Sequence, residues 1–145
     1  MKRKKTYQAK ATELERKWYV VDAKEKILGR FSTKVASVLR GKNKASFTPH
    51  VDTGDFVIII NARHVKVTGK KEDEKTYFSH SYYPGGDRLT PLKVLREEKP
   101  TEIIKHSIRG MLPKGRLGAA MIKKLKVYGG ESHPHKAQNP KELKL

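Results

Sequence analysis

The sequence predicts an α/β fold on a parallel sheet, and two observations carry the prediction. Phe56-Val-Ile-Ile-Ile60 is an unbroken, mostly β-branched apolar run bounded by Gly54 and Asn61. Such a run is a strand buried on both faces, as in sheets covered by helices. Trp18-Tyr-Val-Val-Asp22 has the same character, and a helical pattern lies between the two. Leu28, Phe31, Val35, Val38 and Leu39 recur at the three-and-four spacing of one helical face, and Gly41 follows as the stop. Strand, helix and strand in that order form a βαβ unit, with parallel pairing and a right-handed crossover.

Further elements follow in order. His64-Val-Lys-Val-Thr68 alternates, as a third strand or a strand edge would. Lys70, Lys71 and Lys75 stand beside Glu72, Asp73 and Glu74, a balanced run that predicts a solvated hairpin tip starting at Gly69. Lys75 to His80 reads as an extended segment. Thr90-Pro91 predicts an N-cap with proline at the first helical position, and Leu92 and Leu95 pack below it. Pro100-Thr101 opens another helix, with Ile104, Ile108, Met111 and Leu112 on one face. A third runs from Gly115 to about Leu125, with Leu117, Met121 and Leu125 spaced by four. Leu125 to Tyr128 also fits a short strand. The length of 145 residues argues for one domain. Its expected parts are a basic N-terminal arm (1–17), an α/β core (18–128) and a C-terminal arm (129–145). The arms lack an apolar period and are expected to be disordered until a partner orders them.

Charge narrows the function. Lys and Arg number 33 and Asp and Glu 15, a net of +18 with neutral histidine. That density opposes folding through self-repulsion and calls for a polyanion. No apolar stretch is long enough to span a bilayer. The start, MKRKKTYQAK, lacks the apolar segment of a secretory signal, and Glu13 and Glu15 argue against a transit peptide. The absence of cysteine removes thiol catalysis, thiolate metal sites and disulfides.

The stretch GMLPKGRLG, Gly110 to Gly118, raises the choice between chemistry and grip. Gly110 and Gly115 have the spacing of a phosphate loop. Arg116-Leu117 follows them instead of Lys and Ser/Thr, however, and a helix precedes them instead of a strand. Neither G-x-G-x-x-G nor G-x-S-x-G occurs. Pro113 and Gly115 are explained by a helix–helix corner; Lys114, Arg116 and Arg109 are not. His133-Pro-His135 is the one close pair among six histidines and lacks further ligands for a metal. In a basic arm, such imidazoles serve phosphates or bases. Asp52 and Asp55 read as turn residues before an acid–base pair. In Tyr77-Phe-Ser-His-Ser-Tyr-Tyr-Pro-Gly-Gly86, Tyr77 and Phe78 are expected to close the core edge. Tyr82 and Tyr83 fit either a turn or base stacking. Lys2-Arg3-Lys4-Lys5 and Lys123-Lys124-Leu125-Lys126 are unbalanced and read as phosphate contacts.

A set of motifs occurs in order along nearly the whole chain. It begins with Lys5-Thr-Tyr7, Arg16, Trp18-Tyr-Val-Val-Asp-Ala23, Leu28-Gly-Arg30 and Leu39-Arg-Gly-Lys42. It continues with Asp52-Thr-Gly-Asp55, Val57 to Ala62, Thr68-Gly-Lys70, His80-Ser and Tyr83-Pro-Gly-Gly86. It closes with Arg109-Gly-Met-Leu-Pro113, Val127-Tyr-Gly and His133-Pro-His-Lys-Ala-Gln138. With these the chain resembles the family of large-subunit ribosomal protein thirteen, in its bacterial form. Gly129-Gly130 departs from the pattern, where a lysine beside one glycine is expected.

The resemblance implies a three-layer α/β/α domain around a small, mainly parallel four-stranded sheet, carrying basic arms. It implies no enzymatic activity, a place in the large subunit and binding to its ribosomal RNA, with a role early in assembly. Partners would be that RNA and neighbouring ribosomal proteins, with no membrane, small-molecule substrate, metal or cofactor, and the free chain a monomer in the cytoplasm. Charge runs, corner and resemblance together nominate these RNA contacts. In the N-terminal arm they are Lys2, Arg3, Lys4, Lys5, Tyr7, Lys10 and Arg16. In the core they are Arg30, Arg40, Lys42, Lys70, His80, Tyr83, Arg88, Arg109, Lys114, Arg116, Lys123 and Lys124. In the C-terminal arm they are His133, His135 and Lys136. A nucleic-acid enzyme on the same basic surface stays open, as does a free regulator of a message or protein.

Overall fold

The computed structural model describes residues 7–143. β1 (Trp18–Asp22) and β2 (Phe56–Ile60) pair in parallel, Trp18 opposite Phe56 and Asp22 opposite Ile60. α1 (Leu28–Arg40) connects them, buries Leu28, Phe31, Val35, Val38 and Leu39, and ends at Gly41. The 64–68 segment contributes a single parallel bridge, Lys66 to Ile27, and so is a strand edge. The balanced run is not a hairpin tip but a one-turn helix, α2 (Lys71–Glu74). Glu72 holds Arg96 through two hydrogen bonds of 2.9 Å, and Asp73 holds Lys93, so the run docks on the next helix.

β3 (Thr76–His80) and β4 (Asp87–Pro91) form an antiparallel hairpin. The second strand was not expected: Thr90 lies opposite Tyr77 in the ladder instead of capping a helix. α3 (Leu92–Glu98) begins after it, with extended Pro91 at its N-cap. α4 (Pro100–Met111) buries Ile103, Ile104 and Ile108, and α5 (Arg116–Lys123) buries Met121. Leu125 belongs to β5 (Leu125–Val127), which pairs parallel with β2. β6 (Lys141–Glu142) pairs parallel with β1, giving the all-parallel order β5-β2-β1-β6.

Alternation along the strands sorts the two faces. Val21, Val57 and Ile59 share one core with Phe31 and Val35 of α1, Ile104 and Ile108 of α4, and Met121 of α5. Trp18 and Phe56 belong to the other face. Their rings stack at 4.3 Å and 7°, and His135 lies on Trp18 at 5.3 Å. The connection from β5 to β6 therefore returns across the face that the helices leave bare, as right-handed crossovers require when strand order reverses.

The expected C-terminal arm is thus the third layer. Tyr128 hydroxyl and His135 Nε2 are 2.8 Å apart, and a 3₁₀ turn spans His135–Gln138. The Leu143 N–H donates to the Val20 carbonyl, and the Leu143 side chain packs against the core. An apolar period was absent because isolated anchors and backbone pairing do the holding. The N-terminal segment is likewise tied down at Ala9, which is buried and whose N–H donates to Thr48 Oγ1.

Two carboxylates knit these parts together. Asp55, fully buried, accepts the Lys17 N–H at 2.8 Å and the Lys44 ammonium at 2.6 Å. Asp52 accepts the Lys124 ammonium at 2.5 Å, with Arg16 at 3.9 Å. Lys124 is 4% exposed and also donates to the Leu39 carbonyl at 3.1 Å. Burial lowers its pKa, and the hydrogen bond and charge of Asp52 offset only part of that shift. Lys124 is therefore a structural cation, corrected from the phosphate contact that its charge run suggested. Between the two acids, the backbone of Gly54 lies so close to α1 that a Cβ there would sit 1.7 Å from the Leu39 oxygen.

Removing Asp52 strands an ammonium indoors. Asp52→Ala is expected to lower stability by about 3–5 kcal/mol in urea denaturation, whereas replacing the pair together, Asp52→Leu with Lys124→Met, is expected to cost far less. Trp18 is the chain's single tryptophan. His135→Ala should therefore red-shift its fluorescence in the free protein, and an unchanged spectrum would mean that the C-terminal segment does not cover it.

Candidate nucleic-acid interface

α4 and α5 meet at a tight corner, which is where the sequence expected one. Leu112 is extended and buried, and Pro113 follows it. Gly115, at φ 101°, is the N-cap of α5. Gly118 presses against the Pro113 carbonyl, where a Cβ would come within 1.7 Å of the oxygen. Leu112 anchors the corner, while Met111 is exposed, contrary to its expected core place.

The corner encloses a cleft of about 400 Å³ lined in part by Lys105, His106, Arg109 and Lys114. Glu102 is the one carboxylate in its lining, and it pairs with Lys105 at 2.9 Å. Arg109, Lys114 and Arg116 are exposed and make no ion pair among the described residues. The leading N–H groups of α5 lack carbonyl partners within the helix, and its positive dipole end lies at Gly115. Arg109 and Lys114 thus line one concavity beside the α5 N-terminus, an arrangement with the chemistry of a phosphate cradle. Lys105 and His106 were missed by the sequence reading, although Lys105 stands four residues before Arg109 on the same helical face.

The hairpin joins the corner at its foot. Tyr77 turns inward and meets His106 edge to face, with centroids 5.2 Å apart at 90°. The Lys75 ammonium sits over the Tyr77 ring at 5.1 Å. Burial raises the Tyr77 pKa, against a smaller lowering by Arg96. Tyr77 thus closes the core edge as expected, but Phe78 does not: it is 64% exposed, because the next residue along a strand faces the other way. His80, Tyr82, Tyr83 and Arg88 also stand in solvent on this hairpin.

The remaining nominated residues scatter. Lys2, Arg3, Lys4 and Lys5 lie outside the described residues. Tyr7 is exposed, Lys10 pairs with Glu13 at 3.1 Å, and Arg16 leans toward Asp52. Arg30, Lys42, Lys70, Lys123 and Lys136 are exposed. Arg40 lies over the Phe47 ring at 5.6 Å. His133 and His135 are half-buried, and His135 is engaged by Trp18 and Tyr128. Its ring is a packing element first, a role that the motif alone could not reveal. Among the described residues no group of His, Asp and Glu could hold a metal ion, and no helix is long and apolar enough to cross a membrane.

Residues 16–134 match the family model described as Ribosomal protein L13. The large ribosomal subunit protein uL13 of Dictyoglomus thermophilum is 58% identical over 141 residues, covering 97% of this chain and 99% of that one. The uL13 of Chlorobaculum parvum is 56% identical over 141 residues, covering 97% and 94%. That of Maridesulfovibrio salexigens is 57% identical, covering 97% and 99%.

The corner's geometry depends on the absence of a side chain at Gly118. Gly118→Ala must push α5 off Pro113, and it is expected to cost about 1–3 kcal/mol. A thermal midpoint equal to the wild type would show that the corner is looser than described.

Proposed function

The chain belongs to the ribosomal protein L13 family, and from that premise we propose that it is a structural constituent of the large ribosomal subunit. It binds the ribosomal RNA of that subunit, meets neighbouring ribosomal proteins and supports an early step of assembly, in the cytoplasm. Its role is architectural, not enzymatic. The whole chain works as one ribosomal-protein domain, a monomer when free.

The observation that carries the RNA reading is the unpaired charge of the α4–α5 corner. Four acids elsewhere are engaged by internal partners: Asp52, Asp55, Glu72 and Asp73 each hold a cation of the fold. Arg109, Lys114 and Arg116 are left facing solvent beside the α5 N-terminus, where phosphate oxygens satisfy amides and cations together. Further phosphate contacts come from Lys2, Arg3, Lys4, Lys5, Lys10, Arg16, Arg30, Arg40, Lys42, Lys70, Arg88, Lys123 and Lys136. Tyr7, His80, Tyr83, His133 and His135 are the nominated ring contacts. Of these, His135 acts mainly by holding its segment on the sheet. Affinity thus comes chiefly from phosphates and specificity from RNA shape.

Sedimentation of cell lysate through sucrose, with a blot for this chain, tests the assignment: the protein should track with the large subunit at low and high magnesium. A peak among free proteins would favour the regulator instead. For the corner, Lys114→Ala with Arg116→Ala is expected to leave folding intact and weaken binding to large-subunit RNA. The slope of log affinity against log salt should flatten by about 0.7–0.9 for each phosphate that the missing cations no longer neutralise. Unchanged affinity and slope would leave the corner a purely structural device.

A further inference from the structure

Seven large apolar side chains stand out into solvent among the described residues, and four belong to one hairpin: Phe78, Tyr82, Tyr83 and Leu89. A contiguous exposed apolar patch marks an interaction site. The ladder places Phe78 opposite Leu89 and His80 opposite Asp87. Alternation then puts Thr76, Phe78 and His80 on the outward face and turns Tyr77 inward. The rings of Phe78 and His80 are nearly parallel, 23° apart, with centroids separated by 6.4 Å. The Tyr82 ring stands across the end, 5.7 Å from His80 at 77°. Tyr82 has left-handed backbone, φ 69°, and its N–H donates to His80 Nδ1 at 2.9 Å. Such a conformation is costly for a bulky residue and persists only where its surroundings fix it. Here it projects a ring that is 93% exposed.

We infer that this outward face is a stacking platform for unpaired RNA bases, one base entering between Phe78 and His80, with Tyr82 at the end and Leu89 alongside. The centroid separation of 6.4 Å is near twice the roughly 3.4 Å rise between stacked bases, the scale of gap that one flat ring occupies. Arg88, opposite Ser79, and Lys75, over the inward Tyr77 ring, belong to the hairpin's other face, so the platform itself offers rings instead of cations. Asp87, opposite His80, is the hairpin's one acid. A platform of this kind discriminates unpaired strands from duplex and is tolerant of base identity. The inference rests on the RNA-binding reading above and identifies which rings of the hairpin face the RNA.

The test uses the full chain and a short oligoadenylate carrying 2-aminopurine, single-stranded and as a duplex. The wild type should bind the single strand and quench the fluorophore. Phe78→Ala and His80→Ala should each weaken that binding roughly tenfold, with the salt slope unchanged because every phosphate-binding cation stays in place. Phe78→Trp should restore it. Both alanine sites are exposed, and matching thermal midpoints will show that the variants fold. Alanine variants that bind and quench like the wild type would overturn the platform. So would a Trp variant as weak as the Ala variant, or normal RNA binding with loss of a neighbouring ribosomal protein from the subunit. A wild-type chain that binds neither strand nor duplex would instead overturn the RNA-binding reading itself.

Discussion

The fold depends on how few negative charges must organise so many positive ones. With a net of +18, every acid that enters the interior decides which cations become structure and which remain for a partner. Asp52 and Asp55 make the decisive choice. They fix Lys124, Lys44, Arg16 and the Lys17 amide, and so bind the 41–55 loop, the entry to β1 and the end of α5 into one body. A buried pair of this kind contributes little net stability against an apolar substitute, but losing one partner is expensive. Its value here is geometric. Within the Asp52-Thr-Gly-Asp55 motif the two acids flank Gly54, whose backbone lies against Leu39.

Acids placed inside leave a surface on which cations stand alone. The corner between α4 and α5 gathers Arg109, Lys114 and the α5 amides, while the hairpin places its rings a short way off. Tyr77 against His106 joins the two, so a shift of the hairpin's foot is felt at α4. A cationic concavity and a ring-bearing surface are thus joined through one contact. That suits recognition of RNA by shape better than recognition by sequence.

Much of this was legible in the sequence because it is local. The β-branched run at Val57 to Ile60, the period of α1 and the Pro113–Gly115 corner each follow from neighbours in the chain. The errors concern relations across distance. Nothing near Lys124 says that Asp52 waits for it, so a cation in a basic run looked free. The outward Phe78 needed a partner strand, and β4 was hidden because Thr90-Pro91 is also a good helix start. The C-terminal segment seemed unstructured because it lacks a period. It is held by one imidazole, one leucine and two residues of backbone pairing, the imidazole lying on a ring, Trp18, that the sequence places more than a hundred residues earlier.

That last arrangement has a consequence in time. β1 is made well before β6, which closes its outer edge at residues 141–142. At ordinary rates of synthesis the interval between them is on the order of ten seconds. Once β2 is made, the nascent sheet carries an unpaired edge beside the rings of Trp18 and Phe56 until the C-terminal segment covers them. An open edge next to apolar surface is an invitation to the wrong strand. The protection of that edge therefore waits until β6 has been made.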